Sequence, residues 1–197
     1  QELGGAEAHS TLSGCTHLVG DSEEEALEQV KVLLGYLPQN NNEDPPQVTP
    51  YDPTDRMEEA LNELVPDNEN QPYDMRDAIA AIFDHDSFLE IQPAFAANAV
   101  VGFARLDGYS VGIVANQPAF MSGALNIDAS DKIARFIRTC DAFNIPLVTF
   151  VDCPGFLPGT DQEYGGVIRH GAKIIYAYCE ATVSKISIVT RKAMGVA

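Results

Sequence analysis

The sequence predicts an α/β fold with a largely parallel sheet and crossover helices, and three observations carry that expectation. From Phe88 onward, short strand-like apolar runs alternate with stretches whose apolar residues recur at helical spacing. Asp107-Gly108 separates two of the runs as a hairpin turn would. The run Pro146–Val151 reads as a buried strand that breaks into a loop with two Pro-Gly pairs, Pro154-Gly155 and Pro158-Gly159, before another helical pattern begins.

Each element has its own signal. Ser22 precedes Glu23, Glu24 and Glu25, then apolar residues at Ala26, Val30, Leu33, Leu34 and Leu37, which predicts a capped amphipathic helix ended by Pro38. Residues 39–53, QNNNEDPPQVTPYDP, read as an exposed linker. Thr54-Asp55 is a candidate cap for a short helix through about Leu64, and a polar loop runs from Pro66 to Pro72. Asp74 is placed to cap a helix to Phe83. Strands are expected at Phe88–Ile91, Val100–Leu106 and Val111–Ala115. A helix follows over Asn126–Phe143, capped by Asp128 or Ser130. After the strand at 146–151 come a helix of about 163–181 and a final strand, Ile186–Thr190.

Composition bounds the function. The chain has 197 residues and 45% hydrophobic content, enough for a buried core, and no run approaches the ~20 apolar residues of a membrane span. The net charge of −17 is uneven: residues 1–99 hold 21 acidic and 3 basic side chains, residues 100–197 hold 8 and 9. Nucleic-acid binding needs clustered Lys and Arg, so that class is excluded, and an anionic ligand meets least repulsion in the second half. The cysteines (15, 140, 153, 179) and histidines (9, 17, 85, 170) are scattered with no zinc-type spacing, so no metal site is expected. Unpaired cysteines suit a reducing, cytoplasm-like compartment. The chain begins without an initiator methionine and shows no export signal, and it reads as an internal fragment.

The run DCPGFLPGTDQEYGGVIRHGAKIIYAYCEATVSKISIVTRKA, residues 152–193, closely resembles the carboxyltransferase (β) subunits of biotin-dependent acyl-CoA carboxylases. That family includes propionyl-CoA carboxylase β and the methylmalonyl-CoA carboxyltransferase and decarboxylase subunits. The likeness continues upstream through GIVANQPAFMSGALNIDASDKIARFIRTCDAFNIPLVTFVD to Tyr73–Asp77. ELGGAEAHSTLSGCTH looks like the end of the family's N-terminal half; residues 40–72 are the weakest part of the match. The resemblance implies a crotonase-like spiral of ββα units. It divides the chain into the end of an N-terminal half (1–20), a helical, acidic linker (21–72) and a truncated C-terminal half (73–197). It further implies a hexamer-type homo-oligomer with biotin carboxyl carrier and biotin carboxylase or decarboxylase partners. The compartment is then the cytoplasm, or the mitochondrial matrix in a eukaryote.

No catalytic acid–base set stands out among the side chains. Asp161 and Glu163 suit helix capping better than catalysis, Arg169 and His170 suit a helix surface, and Ser122-Gly123 lacks the nucleophile-elbow context. Carboxyl transfer of the kind the resemblance implies needs little else: an oxyanion at the acyl-CoA thioester and charge on the biotin ureido oxygen, both within reach of backbone N–H donors. In the family, the biotin-facing donors follow Arg-Lys-Ala, which places them at Gly195, Val196 and Ala197. Here Met194 replaces the usual aromatic residue and Val196 a second glycine, and a β-branched residue resists the backbone angles glycine permits. Pro154, Gly155, Phe156, Leu157, Pro158 and Gly159 are expected to shape the wall of that half-site, with Asn116-Gln117 a further pocket edge or a simple turn. Tyr176 and Tyr178 read as core or interface residues. The alternatives are a crotonase-type acyl-CoA hydratase or isomerase, and a degenerate assembly module without activity.

Overall fold

The computed structural model describes residues 3–195. Its centre is a five-stranded mixed sheet in the order β1 (Leu89–Ile91), β2 (Ala99–Leu106), β3 (Tyr109–Asn116), β4 (Leu147–Cys153), β5 (Lys185–Ala193). Asp107 and Gly108 take the left-handed backbone (φ 52° and 77°) of the hairpin turn expected there, and β2 pairs antiparallel with β3 in the register Leu106↔Tyr109. Parallel pairing is confined to β3–β4 and β4–β5, a smaller share than the helix–strand alternation suggests, because the hairpin turns β2 back and β1 joins it antiparallel.

Alternate side chains of the central strands enter two cores. Val101, Phe103 and Val114 meet Ile133, Phe136 and Ile137 of α5 (Ile127–Ala142) and Ala177 of α7 (Val167–Glu180). Val100, Val111, Ile113 and Phe150 meet Met75 and Ile79 of α4 (Met75–Ile82) on the opposite face. Burial on both faces explains why β2 and β3 read as near-continuous apolar runs.

Helix ends follow local chemistry, with five differences from expectation. Ser22 caps α2 (Glu23–Leu34) by accepting from the Glu25 amide, and Asp74 caps α4 by accepting from Arg76. The first of these helices stops at Leu34, ahead of Pro38, with Gly35 as its last cap. Thr54-Asp55 forms a turn, and only Leu61–Leu64 (α3) is helical, since Pro53 and the Asp52–Arg56 ion pair hold the chain in loop form. α5 is capped by Asn126, whose side chain accepts from Ala129, in place of Asp128 or Ser130. The helix expected over 163–181 is two helices, α6 (Thr160–Gly165) and α7, broken at Gly166 (φ 89°), a conformation open to glycine. Asp161 and Glu163 make no capping bond; they lie in the first turn of α6, where their charge complements the helix dipole. α1 (Ala6–Thr11) completes the order.

The acidic segment before Tyr73 lies over the sheet. Tyr36 is buried in the α5-side core and donates to the Ser87 carbonyl, while Arg105 stacks on its ring and donates to Gly35 O (2.7 Å) and Pro46 O (3.0 Å). Among the described residues, no helix is long and apolar enough to cross a membrane.

Candidate functional site

The parallel strands β3, β4 and β5 end side by side, and the loop leaving each carries one group of the expected site residues. Asn116 and Gln117 close β3, Pro154–Gly159 follow β4, and Met194-Gly195 follow β5. The three ends are physically joined. Asp152 N donates to Asn116 Oδ1 (3.3 Å) and Met194 N donates to Cys153 O (3.0 Å). Leu125 N donates to Gly155 O (3.0 Å) and Leu157 N to Leu125 O (2.8 Å), so the wall loop pairs with the chain entering α5. Open ends of parallel strands are where α/β folds place their ligands.

The residues differ in what they can offer. Asn116 donates to Gly123 O (3.1 Å) and sits at the edge of an apolar cavity of about 360 Å³ shared with Leu125, Thr149, Val151 and Tyr178. Gln117 is buried and committed: its Oε1 accepts from Met75 N (3.1 Å) and its Nε2 donates to Asp74 (2.6 Å). It therefore ties α4 to the end of β3, and the simple-turn alternative describes it better than a pocket edge. Pro154, Gly155, Phe156 and Leu157 are half-buried, while Pro158 and Gly159 are exposed. Phe156 presses against α7 at Gly171, where a side chain would run into the ring, so Gly171 serves close packing. Gly195 is exposed with φ 70°, the left-handed region that favours glycine. Val196 and Ala197 lie outside the described residues.

Beneath the site is a charged cluster that the sequence did not reveal. Asp152 has 0% exposure and accepts from Arg191 Nε (3.0 Å) and from the Lys192 amide (3.3 Å), with Lys192 Nζ 3.8 Å away. The Arg191 guanidinium also donates to Asn68 O and Gln71 O (both 2.9 Å) and lies over the Tyr73 ring. The ring's hydroxyl meets Thr190 Oγ1 (3.0 Å). Burial, with the Asp152 carboxylate acting in the same sense and Thr190 and Arg191 against, pushes the Tyr73 hydroxyl up to about 12, so it stays protonated at neutral pH. The cluster fixes the turn out of β5 just ahead of Gly195 and pins the loop 68–71 against it. The signal was available: one aspartate inside the apolar string TFVDC, and a basic pair closing a strand.

The other polar candidates fall elsewhere. His170 Nδ1 meets Asp131 (2.9 Å) and Lys173 Nζ meets the same carboxylate (2.6 Å), a clamp between α5 and α7 in place of a pairing with Arg169. Tyr178 is half-buried with its hydroxyl 2.6 Å from Thr149 Oγ1, whereas Tyr176 is exposed. Cys140 and Cys153 are buried, and desolvation raises both thiols, which makes them poor nucleophiles. Among the described residues, no group of three or more His, Cys, Asp and Glu side chains gathers as a metal site.

A mixed sheet with helices α5 and α7 crossing between its parallel strands, and glycine-bearing loops at the strand ends, makes this a crotonase-like α/β module. The chain belongs to the carboxyl transferase domain family, which it matches over residues 1–197. It is 58% identical to the methylmalonyl-CoA decarboxylase subunit alpha of Veillonella parvula over 195 residues, 99% of this chain and 38% of that protein. It is likewise 58% identical over 194 residues to the propionyl-CoA carboxylase carboxyltransferase subunit of Haloferax mediterranei, covering 98% of this chain and 38% of that protein. The crystal structure of the transcarboxylase 12S hexamer with methylmalonyl-CoA and methylmalonic acid bound superposes with a TM-score of 0.96 at 54% identity. That match covers 99% of this chain and 37% of the other. The chain thus spans less than two-fifths of the relatives it matches.

Proposed function

We propose that this chain is the biotin-facing part of a carboxyltransferase subunit that moves a carboxyl group between biotin on a partner protein and a short-chain acyl-CoA, such as propionyl-CoA or methylmalonyl-CoA. The observation that carries the reading is that β3, β4 and β5 end side by side, with the turn at Met194-Gly195 tied to Cys153, in a chain that matches the family along its whole length. The names of its relatives, and the methylmalonyl-CoA bound by the 12S transcarboxylase, support the substrate class.

The residues present suit biotin. Its ureido oxygen needs hydrogen-bond donors and its fused ring an apolar wall. Gly195 presents exposed backbone with no atom within 4 Å of where a side chain would begin, and Phe156 and Leu157 line the neighbouring loop. When bound, biotin supplies the carrier atom for the carboxyl group and an oxygen on which negative charge develops. The chain's part is to hold backbone donors at that oxygen from Gly195 through Val196 and Ala197, with Phe156 and Leu157 limiting water. Asp152, Arg191 and Lys192 keep the turn in place, so little reorganisation is needed when charge appears. The acyl-CoA thioester is assigned to the N-terminal half of a subunit. The working form is then a homo-oligomer, as in the hexameric 12S relative, together with a biotin carboxyl carrier and its carboxylase or decarboxylase partner. Four free cysteines fit a reducing cytoplasm or mitochondrial matrix.

The test uses the full-length subunit with a carboxybiotinylated carrier and propionyl-CoA, followed by methylmalonyl-CoA formation. Wild type turns over, and Gly195→Val lowers kcat by about 100-fold, the scale expected when an oxyanion donor is displaced. The isolated 197-residue chain, lacking the other half, shows weak binding and no turnover. Hydration of crotonyl-CoA without carboxyl transfer would replace this reading with that of a hydratase.

A further inference from the structure

Lys132 lies on the inward face of α5 with 2% exposure, away from the site just described. Its ammonium donates to three backbone carbonyls, Gln92 O (2.9 Å), Phe95 O (2.7 Å) and Ala99 O (2.8 Å), with Ala96 O at 3.4 Å. Three short bonds use all the donors an ammonium has. The carbonyls belong to the bend between β1 and β2, where Gln92 (φ 54°) and Ala96 (φ 46°) are held in the left-handed region. Such a conformation is unfavourable for a non-glycine residue and persists only where surrounding contacts impose it. Burial lowers the Lys132 pKa to about 8, with Arg76 acting in the same sense and Glu90 against, so the group is still mainly an ammonium at neutral pH. A methionine would fill much the same space without taking a charge out of water. What the ammonium adds is a fixed shape for the bend.

That bend carries Asn98, which is buried and reaches the site. Asn98 Nδ2 donates to Ala124 O (2.7 Å) and to Asn126 Oδ1 (3.2 Å), and its carbonyl accepts from Gln117 N (3.0 Å). One side chain and its own carbonyl therefore hold both ends of the segment 117–124. Within that segment Met121, Ser122 and Gly123 are all left-handed (φ 49°, 53° and 79°), a second strained stretch. It delivers the chain directly into Leu125, which pairs with Gly155 and Leu157 of the wall loop.

We infer that Lys132 is a positioning residue for the carboxyl-transfer site, acting through the bend 92–98 and Asn98 on the segment 117–125 and so on the wall loop 154–159. The inference rests on the functional reading above. It adds a residue that touches neither substrate nor carrier yet sets where the wall stands. Its loss should appear as slower turnover with little change in the affinity for acyl-CoA, since a misplaced site costs mostly kcat.

The experiment compares wild type, Lys132→Met, Asn98→Ala and the double variant in the full-length subunit. Amide hydrogen exchange and steady-state carboxyl transfer are measured on each. Lys132→Met should speed exchange about tenfold in both 92–99 and 117–125, leave α4 protected, and lower kcat about tenfold at unchanged KM for acyl-CoA. Asn98→Ala should loosen 117–125 alone, and the double variant should be no slower than Lys132→Met. Multiplicative losses in the double variant, or unaltered exchange at 117–125 in either single variant, overturn the inference. Should Lys132→Met fail to fold, Asn98→Ala and Lys132→Arg decide it: the arginine must restore exchange protection at 92–99 only to the extent that it restores kcat. If wild type itself transfers no carboxyl group, the functional reading falls, while the exchange data still accept or reject the linkage from Lys132 to the loop.

Discussion

The acidic stretch before Tyr73 and the sheet region after it are held by different physics. α1, α2 and α3 have no buried residues; this part of the chain lends the cores Tyr36 and the partly buried Leu33, Leu37, Leu64 and Val65, and is otherwise held by directed contacts such as Arg105 on Tyr36, Arg56 on the carbonyls of Ala81 and Phe83, and Arg191 on those of Asn68 and Gln71. The sheet region is held by two packed cores on either side of β2, β3 and β4. A core spreads its stabilisation over many small apolar contacts, whereas a pinned segment depends on a few hydrogen bonds to charged groups. One consequence is that residues 21–72, expected as a linker, are in part a layer laid over the sheet, and their last loop borders the site.

The largest way to test that contrast is to cut into the core. Phe150, 1% exposed and edge-on to Phe83, should cost about 3–5 kcal/mol as Phe150→Ala. Urea unfolding of the full-length subunit followed by circular dichroism measures it, and a loss below about 1 kcal/mol would mean that the α4-side core is not what holds the sheet. A smaller and more local effect is expected from Arg105→Ala, which removes the donors to Gly35, Pro46 and Gly108 and the stacking on Tyr36. Hydrogen bonds to a charged group contribute roughly 1.5–3 kcal/mol. Proteolysis should then open residues 36–56 while the sheet stays protected; simultaneous loss of both would erase the distinction between the two regions.

The smallest effect is electrostatic. Asp131 is partly buried, which opposes ionisation, but hydrogen bonds from Lys173 and His170 win and hold its carboxyl below the ordinary 3.8. A depressed folded-state value means that the unfolded chain binds the proton more readily. The clamp's contribution is therefore complete above pH 3.8 and is lost as pH falls through the lower folded value. Acid titration of Asp131→Asn should show a shallower loss of stability below that pH than wild type. Equal slopes would show that α5 and α7 are held by their apolar faces alone.

Most elements were legible because their signals are local. The Ser22 and Asp74 caps, the Asp107-Gly108 hairpin and the strand before Pro154 each depend on a few adjacent residues. The break at Gly166 was missed because a Gly165-Gly166 pair inside an apolar period looks tolerable until a helix must change direction. In the candidate site, the loop 154–159 and Gly195 were expected through a resemblance, and the structure puts them after β4 and β5, next to the strand that Asn116 closes. Asp152, Arg191, Asn98 and Lys132 were not found, since their partners are distant along the chain (28 residues from Asn98 to Asn126, 123 from Arg191 to Asn68) and many are backbone groups without sequence identity.

By itself the sequence determined the alternation of strands and helices, the uneven charge and, through the string from Asp152 to Ala193, the family. These depend on periodicity, capping chemistry and residue identity, which are properties of neighbours along the chain. Only the tertiary structure decided that three strand-end loops share one edge, that a buried aspartate anchors the turn before Gly195, and that an ammonium gathers the bend behind them. A hydrogen bond across the fold constrains where atoms lie in space, and that information exists only after the chain has closed on itself.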